Sequence, residues 1–280
     1  MILRMKGFIM SFSVLTDVCV KCNMCVAECP TGLLVMKENG PAAGFGSCIS
    51  CGHCVAVCPT GAIDYTVTPR AEQIPVGDYH MPDPETAEKF LRYRRSIRTF
   101  RDTPVPKELI TRLLNVARMA PTGSNSQGVS YRVIQKKETL TAISDAVMDW
   151  MIGLGKENSR MRIYAHNAKR YNRTGRDFIL HKAPALVLAI SKDELVERGR
   201  DNGHFALTYA ELMAPSLGLG SCWSGFVEFC AQVGYEPLLQ LLNLPDGYRV
   251  AGAIMVGYPK FKYHYMPERE SLRVFFDEED

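Results

Sequence analysis

Beyond residue 84, apolar side chains recur at three- and four-residue spacings over 84–94, 106–120, 139–152, 160–174, 201–217 and 236–243, which predicts amphipathic helices. Short apolar runs at 131–135, 186–191 and 249–256 predict strands between them. There are too few evenly spaced strand–helix units for a doubly wound sheet, so the expected fold class is α+β. Over 67–84 the periodicity disappears while Pro69, Pro75, Pro82 and Pro84 accumulate, the signature of a semi-rigid linker. Its end also starts a helix, with Asp83 as cap, Pro84 in the first turn and Glu85 complementing the dipole. The chain therefore divides into 1–66, a linker over 67–84, and a larger domain over 85–280.

With 46% hydrophobic and 22% charged residues in 280, disorder is excluded and a large core is available. The longest apolar stretches, 183–190 and 250–256, fall far short of the roughly 18 residues of a spanning helix, so no membrane association is expected. A net charge of +3 is too small to argue for nucleic acid.

The first domain is a repeat. A shift of 29 residues places Cys19, Cys22, Cys25 and Cys29 on Cys48, Cys51, Cys54 and Cys58, and nine of fourteen positions are identical. Each copy reads C-x-x-C-x-x-C-x-x-x-C-P, whereas zinc sites use cysteine pairs. The segment over about 11–66 resembles a bacterial two-cluster 4Fe–4S ferredoxin. That resemblance implies a first cluster on Cys19, Cys22, Cys25 and Cys58, and a second on Cys48, Cys51, Cys54 and Cys29. His53 is expected to face solvent beside the second. Arg4 and Lys6 precede a short apolar run without an Ala-x-Ala site or a twin-arginine pair. With the thiols read as reduced metal ligands, the expected location is cytoplasmic.

Charge also divides at the linker: residues 1–84 carry −2 and the remainder +5. Such opposite signs would favour docking of the smaller domain on the larger, although the tether alone would also hold it near.

Three segments of the larger domain carry candidate chemistry. Arg92, Arg94, Arg95, Arg98 and Arg101 crowd a helix end together with Ser96. They suit either a solvated face or a phosphate gripped by guanidinium forks. Ala120–Gln127, with Pro121, Thr122, Ser124, Asn125 and Gln127, reads as a turn or as a set of donors for the edge of a polar heterocycle. In 218–225, Gly218-Leu-Gly220 and Gly225 do not match the dinucleotide fingerprint, but could bring backbone amides against a flat ligand. Cys222 and Cys230 lack a C-x-x-C frame and read as buried small hydrophobes.

In this order the three segments resemble the nitroreductase family of FMN-dependent oxidoreductases, over about 93–269. The resemblance implies an α+β homodimer with FMN at the subunit interface. Arg94, Arg95, Ser96 and Arg98 would bind the ribityl phosphate, with Arg269 as a second phosphate ligand. Pro121, Thr122, Ser124, Asn125 and Gln127 would meet the ribityl chain and ring, and Ser224 and Gly225 would place an N–H near flavin N5. The chain departs from common family patterns at Gly128-Val129, where Pro-Trp often follows the glutamine, and at Tyr265, where a basic residue often stands. No catalytic acid is assigned.

The basic stretch 156–176 reads as a solvated face, or alternatively as a lid selecting an anionic substrate. The expected function is an oxidoreductase passing electrons from two 4Fe–4S clusters to FMN and on to a small organic acceptor: a nitroaromatic, quinone or activated alkene. A low-potential donor, such as an external ferredoxin, would supply the clusters. The second expectation is an electron-transfer module whose partner is another protein.

Overall fold

The computed structural model describes residues 2–5, 8–156, 158–192 and 196–277. The chain folds as two compact units, Met1–Met81 with Gly123–Ser126, and Pro82–Thr122 with Gln127–Asp280.

In the first unit, strands β1 (Ile2–Met5), β2 (Phe8–Val14) and β5 (Ile63–Tyr65) pair antiparallel in the order β1-β2-β5. Strands β3 (Leu34–Lys37) and β4 (Gly40–Ala43) form a separate hairpin, and two single-turn helices, α1 (Met24–Ala27) and α2 (His53–Ala56), complete the unit. The sequence repeat is a backbone repeat as well. Left-handed residues fall in pairs 29 positions apart: Lys21 with Ser50, Asn23 with Gly52, and Gly32 with Gly61. Each Asn23/Gly52 position reverses the chain so that the next residues start a helix turn. The core obeys the same shift, with Leu33 and Leu34 matched by Ala62 and Ile63, all buried. Part of the expected linker is stitched to this unit: Asp64 Oδ1 accepts from the Arg70 N–H at 2.9 Å, and Arg70 Nη1 donates to the Gly61 carbonyl at 2.8 Å.

The second unit is built on one antiparallel sheet of β6 (Ser130–Ile134), β7 (Ala185–Lys192), β9 (Tyr248–Gly257) and β8 (Gly220–Trp223), in that order. Its helices are α3 (Pro84–Tyr93), α4 (Lys107–Ala117), α5 (Lys137–Leu154), α6 (Ser159–Asn172), α7 (Val196–Met213), α8 (Gly225–Gln232) and α9 (Glu236–Leu242). Strand β7 shows why the order is helix–sheet–helix. Its Leu186, Leu188 and Ile190 join one core with α5, α8 and α9, while Ala185, Val187 and Ala189 join another with α4 and α7. Side chains alternate across a strand, so one buried strand serves two layers. The α+β expectation is met. Helix α7 starts earlier than its pattern suggested and ends at Met213, where Pro215 turns the chain into a 3-10 segment over Ala214–Leu217. Among the described residues no helix is long and apolar enough to cross a membrane.

Candidate functional site

The eight cysteines of the repeat surround two separate cavities. One is lined by Cys19, Cys22, Cys25 and Cys58, the other by Cys29, Cys48, Cys51 and Cys54. Each takes three thiols from one copy and the fourth from the other copy, the crossed sets that the ferredoxin resemblance implied. Among the described residues no three His, Cys, Asp or Glu side chains converge as ligands of a single ion would, and the four sulfurs of each set are spread around a cavity instead. Soft thiolates in fours fit an iron–sulfur cube.

Electrostatics differ between the triplets and the fourth cysteines. Burial pushes the Cys54 thiol up to about 11, helped by Cys51 and Cys48, and burial with neighbouring Cys58 and Cys22 raises Cys25. Burial also opposes ionisation of Cys29 and Cys58, yet both are held below the ordinary thiol value by hydrogen bonds from the following turn. Those donors repeat: Leu34, Thr31 and Leu33 around Cys29, and Ile63, Thr60 and Ala62 around Cys58. The Ala62 N–H reaches Cys58 Sγ at 3.2 Å. N–H groups aimed at sulfur stabilise the ligating thiolate. His53 is half exposed, with Nδ1 3.2 Å from Glu28 Oε1, in keeping with its expected place beside the second set.

A serine at Cys29 should disturb the second set and a serine at Cys58 the first. Electron paramagnetic resonance of the two reduced variants should show different surviving clusters; loss of the same signal in both would contradict the crossed arrangement. Anaerobically purified protein should carry about eight iron per chain.

The second unit contains a cavity of 510 Å³ whose wall is strongly basic. Arg94 and Arg95, named from the sequence, line it. So do Arg101, Lys260, Lys262 and His264, which the sequence reading did not assign. The alternation of basic and aromatic residues over 260–265 was the available signal. The arginine segment reaches the sheet because Gly220 lets it approach: a Cβ there would stand 2.5 Å from Ile97 Cγ1. The Ile97 N–H donates to the Ser221 carbonyl at 2.8 Å, and Ser96 bridges to Ser221 in parallel fashion.

The remaining expected residues lie elsewhere. Arg98 does not line the cavity, and its charge is felt by His181 and Cys222. Arg269 is also absent from the wall, and its N–H is taken by the Glu268 carboxylate, which pairs with Arg92. In the 121–127 turn, the Gln127 N–H donates to Thr122 Oγ1 at 3.0 Å, and Ser124, Asn125 and Gln127 all have positive φ. Three such non-glycine residues in four positions store strain, which marks functional loops. Ser124 and Asn125 belong to the first unit, where Asn125 Nδ2 donates to the carbonyls of Ile49 and Ser50, both at 2.9 Å.

At 218–225 the structure divides the roles of the glycines. Gly218 closes the 3-10 turn with φ 71°, Gly220 admits Ile97, and nothing lies within 4 Å of a Cβ built on Gly225. The Ser224 N–H is spent on the Ala253 carbonyl at 2.8 Å. Gly225 is the first residue of α8, and the leading amides of a helix have no intrahelical acceptor.

Beside them Glu228, nearly fully buried, accepts from Trp223 Nε1 at 2.7 Å, from Gln232 Nε2 at 2.9 Å and, more loosely, from Arg200 Nε at 3.4 Å, and lies 2.9 Å from His204 Nε2. This hub escaped the sequence reading because Arg200 and His204 lie 28 and 24 residues from Glu228 along the chain. Glu228→Ala strands several donors and should cost about 2–3 kcal/mol. Calorimetry should show a melting temperature about 5–10 °C lower. Cys222 and Cys230 are buried, and burial pushes the Cys230 thiol up to about 12, as inert small hydrophobes require. The basic stretch is exposed at Lys156, Arg160, Arg162, Lys169, Arg170 and Arg173, while Glu157 lies outside the described residues.

A profile of the nitroreductase family matches residues 91–258. The chain belongs to the nitroreductase family. Residues 18–63 match a 4Fe-4S dicluster domain. A protein of Archaeoglobus fulgidus, named provisionally as an NADH dehydrogenase/NAD(P)H nitroreductase, is 25% identical over 63% of this chain and 87% of its own. Crystal structures described as nitroreductases with bound FMN, from Bacteroides fragilis and Desulfitobacterium hafniense, share the fold. The first has a TM-score of 0.55 at 17% identity, covering 68% of this chain and 98% of its own. The second has a TM-score of 0.55 at 20% identity, covering 70% and 100%. The nitroreductase match covers the sheet, the arginine segment and the Gly225 helix start, and ends before all the residues that line the basic cavity after β9.

Proposed function

We propose that this protein is an FMN-dependent oxidoreductase in which two 4Fe–4S clusters feed electrons to the flavin, which reduces a small organic acceptor such as a nitroaromatic, quinone or activated alkene. The observation that carries this is the pairing, in one chain, of two crossed cysteine sets with a nitroreductase sheet bearing a basic cavity.

FMN, when bound, accepts electrons singly and releases them as a pair, the conversion a cluster cannot make alone. Arg94 and Arg95 would hold its phosphate, with Ser96 and Arg98 completing the motif and Lys260 and Lys262 closing the opposite wall. Pro121, Thr122 and Gln127 would orient the ribityl chain and ring, and the Gly225 N–H would stand at the reacting edge. The protein would act as a cytoplasmic homodimer, supplied by a low-potential donor such as a ferredoxin. The names of relatives point to NAD(P)H as a second donor to be tested.

The deciding experiment is anaerobic turnover of a small acceptor panel with reduced ferredoxin or NAD(P)H. Turnover with reduced ferredoxin supports the proposal, whereas activity with NAD(P)H alone, unaltered by loss of the clusters, rejects it.

A further inference from the structure

The basic cavity contains one carboxylate. Glu211, on α7, lines it with a side chain 15% exposed, among Arg94, Arg95, Arg101, Lys260, Lys262 and His264. Arg94 Nη1 lies 3.7 Å from Glu211 Oε1, and the Ser221 hydroxyl donates to the same oxygen at 3.1 Å. A bidentate guanidinium–carboxylate fork closes to about 2.8 Å, so Arg94 is steadied here without being consumed. Burial lifts the Glu211 pKa, while Arg94 and Ser221 pull it back. An anion arriving on Arg94 would draw off that support and add a like charge nearby, and both effects disfavour an ionised carboxylate.

We propose that Glu211 couples anion binding in this cavity to proton uptake. When the flavin phosphate engages Arg94, one proton from solvent bonds to the Glu211 carboxylate and no electrons move. The inference rests on the flavin-phosphate reading of the cavity. It gives the site a sign: Glu211 has a higher pKa in the complex than in the free protein, so affinity for a fixed dianion falls as pH rises between the two values. The other charged groups on the wall are Arg94, Arg95, Arg101, Lys260 and Lys262. The Cys222 thiol, raised by burial and by Glu211 against the pull of Arg98 and Ser96, stays neutral. His264 stands on the same wall, so its part is separated by experiment.

The probe is sulfate, which remains dianionic where a phosphate monoester would itself titrate. Its binding to full-length, flavin-free protein with clusters intact is measured calorimetrically at about pH 5.5 and pH 8. The wild type should bind about tenfold more weakly at the higher pH, a shift of one pKa unit in linkage. Glu211→Gln, which keeps the hydrogen-bond geometry, should bind about equally at both, and His264→Gln should retain most of the wild-type dependence. Equal pH dependence in wild type and Glu211→Gln overturns the proposal. So does its loss in His264→Gln, a comparison that still decides the matter if Glu211→Gln does not fold. Failure of sulfate to bind overturns it too. A parallel FMN titration separates the two ideas: if FMN does not bind but sulfate shows the Glu211-dependent effect, the flavin reading fails and this inference stands.

Discussion

With Cys22 and Cys51 both changed to serine, reduction of bound FMN by a low-potential donor should slow by about a hundredfold or more under anaerobic stopped-flow. The magnitude follows from tethering. A donor domain fused through a short linker sits at an effective concentration of roughly millimolar, and losing such a linkage commonly costs 10²–10⁴-fold. Both substitutions fall on triplet cysteines, one per cavity, so neither set keeps four sulfurs. Any direct reduction by NAD(P)H should be indifferent to the change. Equal rates with the low-potential donor in parent and variant would make the clusters bystanders.

Changing Arg94 and Arg95 together to alanine should weaken FMN binding by about 10²–10⁴-fold while leaving the iron content unchanged. Both side chains stand in the cavity wall, and hydrogen bonds to a charged group contribute about 1.5–3 kcal/mol each. Two such losses correspond to that range of dissociation constants. Arg98 belongs to the same motif but is not part of the wall, so Arg98→Ala alone should weaken binding far less. A larger loss from Arg98→Ala, measured by fluorescence quenching, would relocate the phosphate.

The cysteine repeat was legible because its determinants are local. Three thiols at fixed spacing within one turn, followed by a proline, specify a cluster loop without any tertiary information, and the repeat doubled the signal. The α+β class was legible for a similar reason, since buried runs such as 186–191 have no polar face to hide. Strand β8 was not, because Gly220 and Ser221 have low strand propensity and are held there by pairing with β9. The hairpin β3-β4 escaped for the same reason, with Gly40 and Pro41 inside it. The flavin segment yielded its arginines but not their directions. Arg94, Arg95 and Arg101 face the cavity while Arg98 does not, a division set by how Ile97 seats against Gly220. Lys260 and Lys262 left only the basic–aromatic alternation over 260–265 as a trace, and Glu211, far away along the chain on α7, left none.

The crossed cysteine sets also bear on how such a domain could have begun. A single 29-residue copy brings three thiols to its own cavity and extends the fourth, cradled by its own turn, toward a cavity it does not possess. Alone it could complete no cluster. Two identical copies side by side would complete one another, so a peptide of this length could function only as a pair, and joining the two genes end to end would convert a concentration-dependent encounter into a permanent one. Thereafter neither half is free to drift by itself, because every loss of a fourth cysteine is felt in the other half.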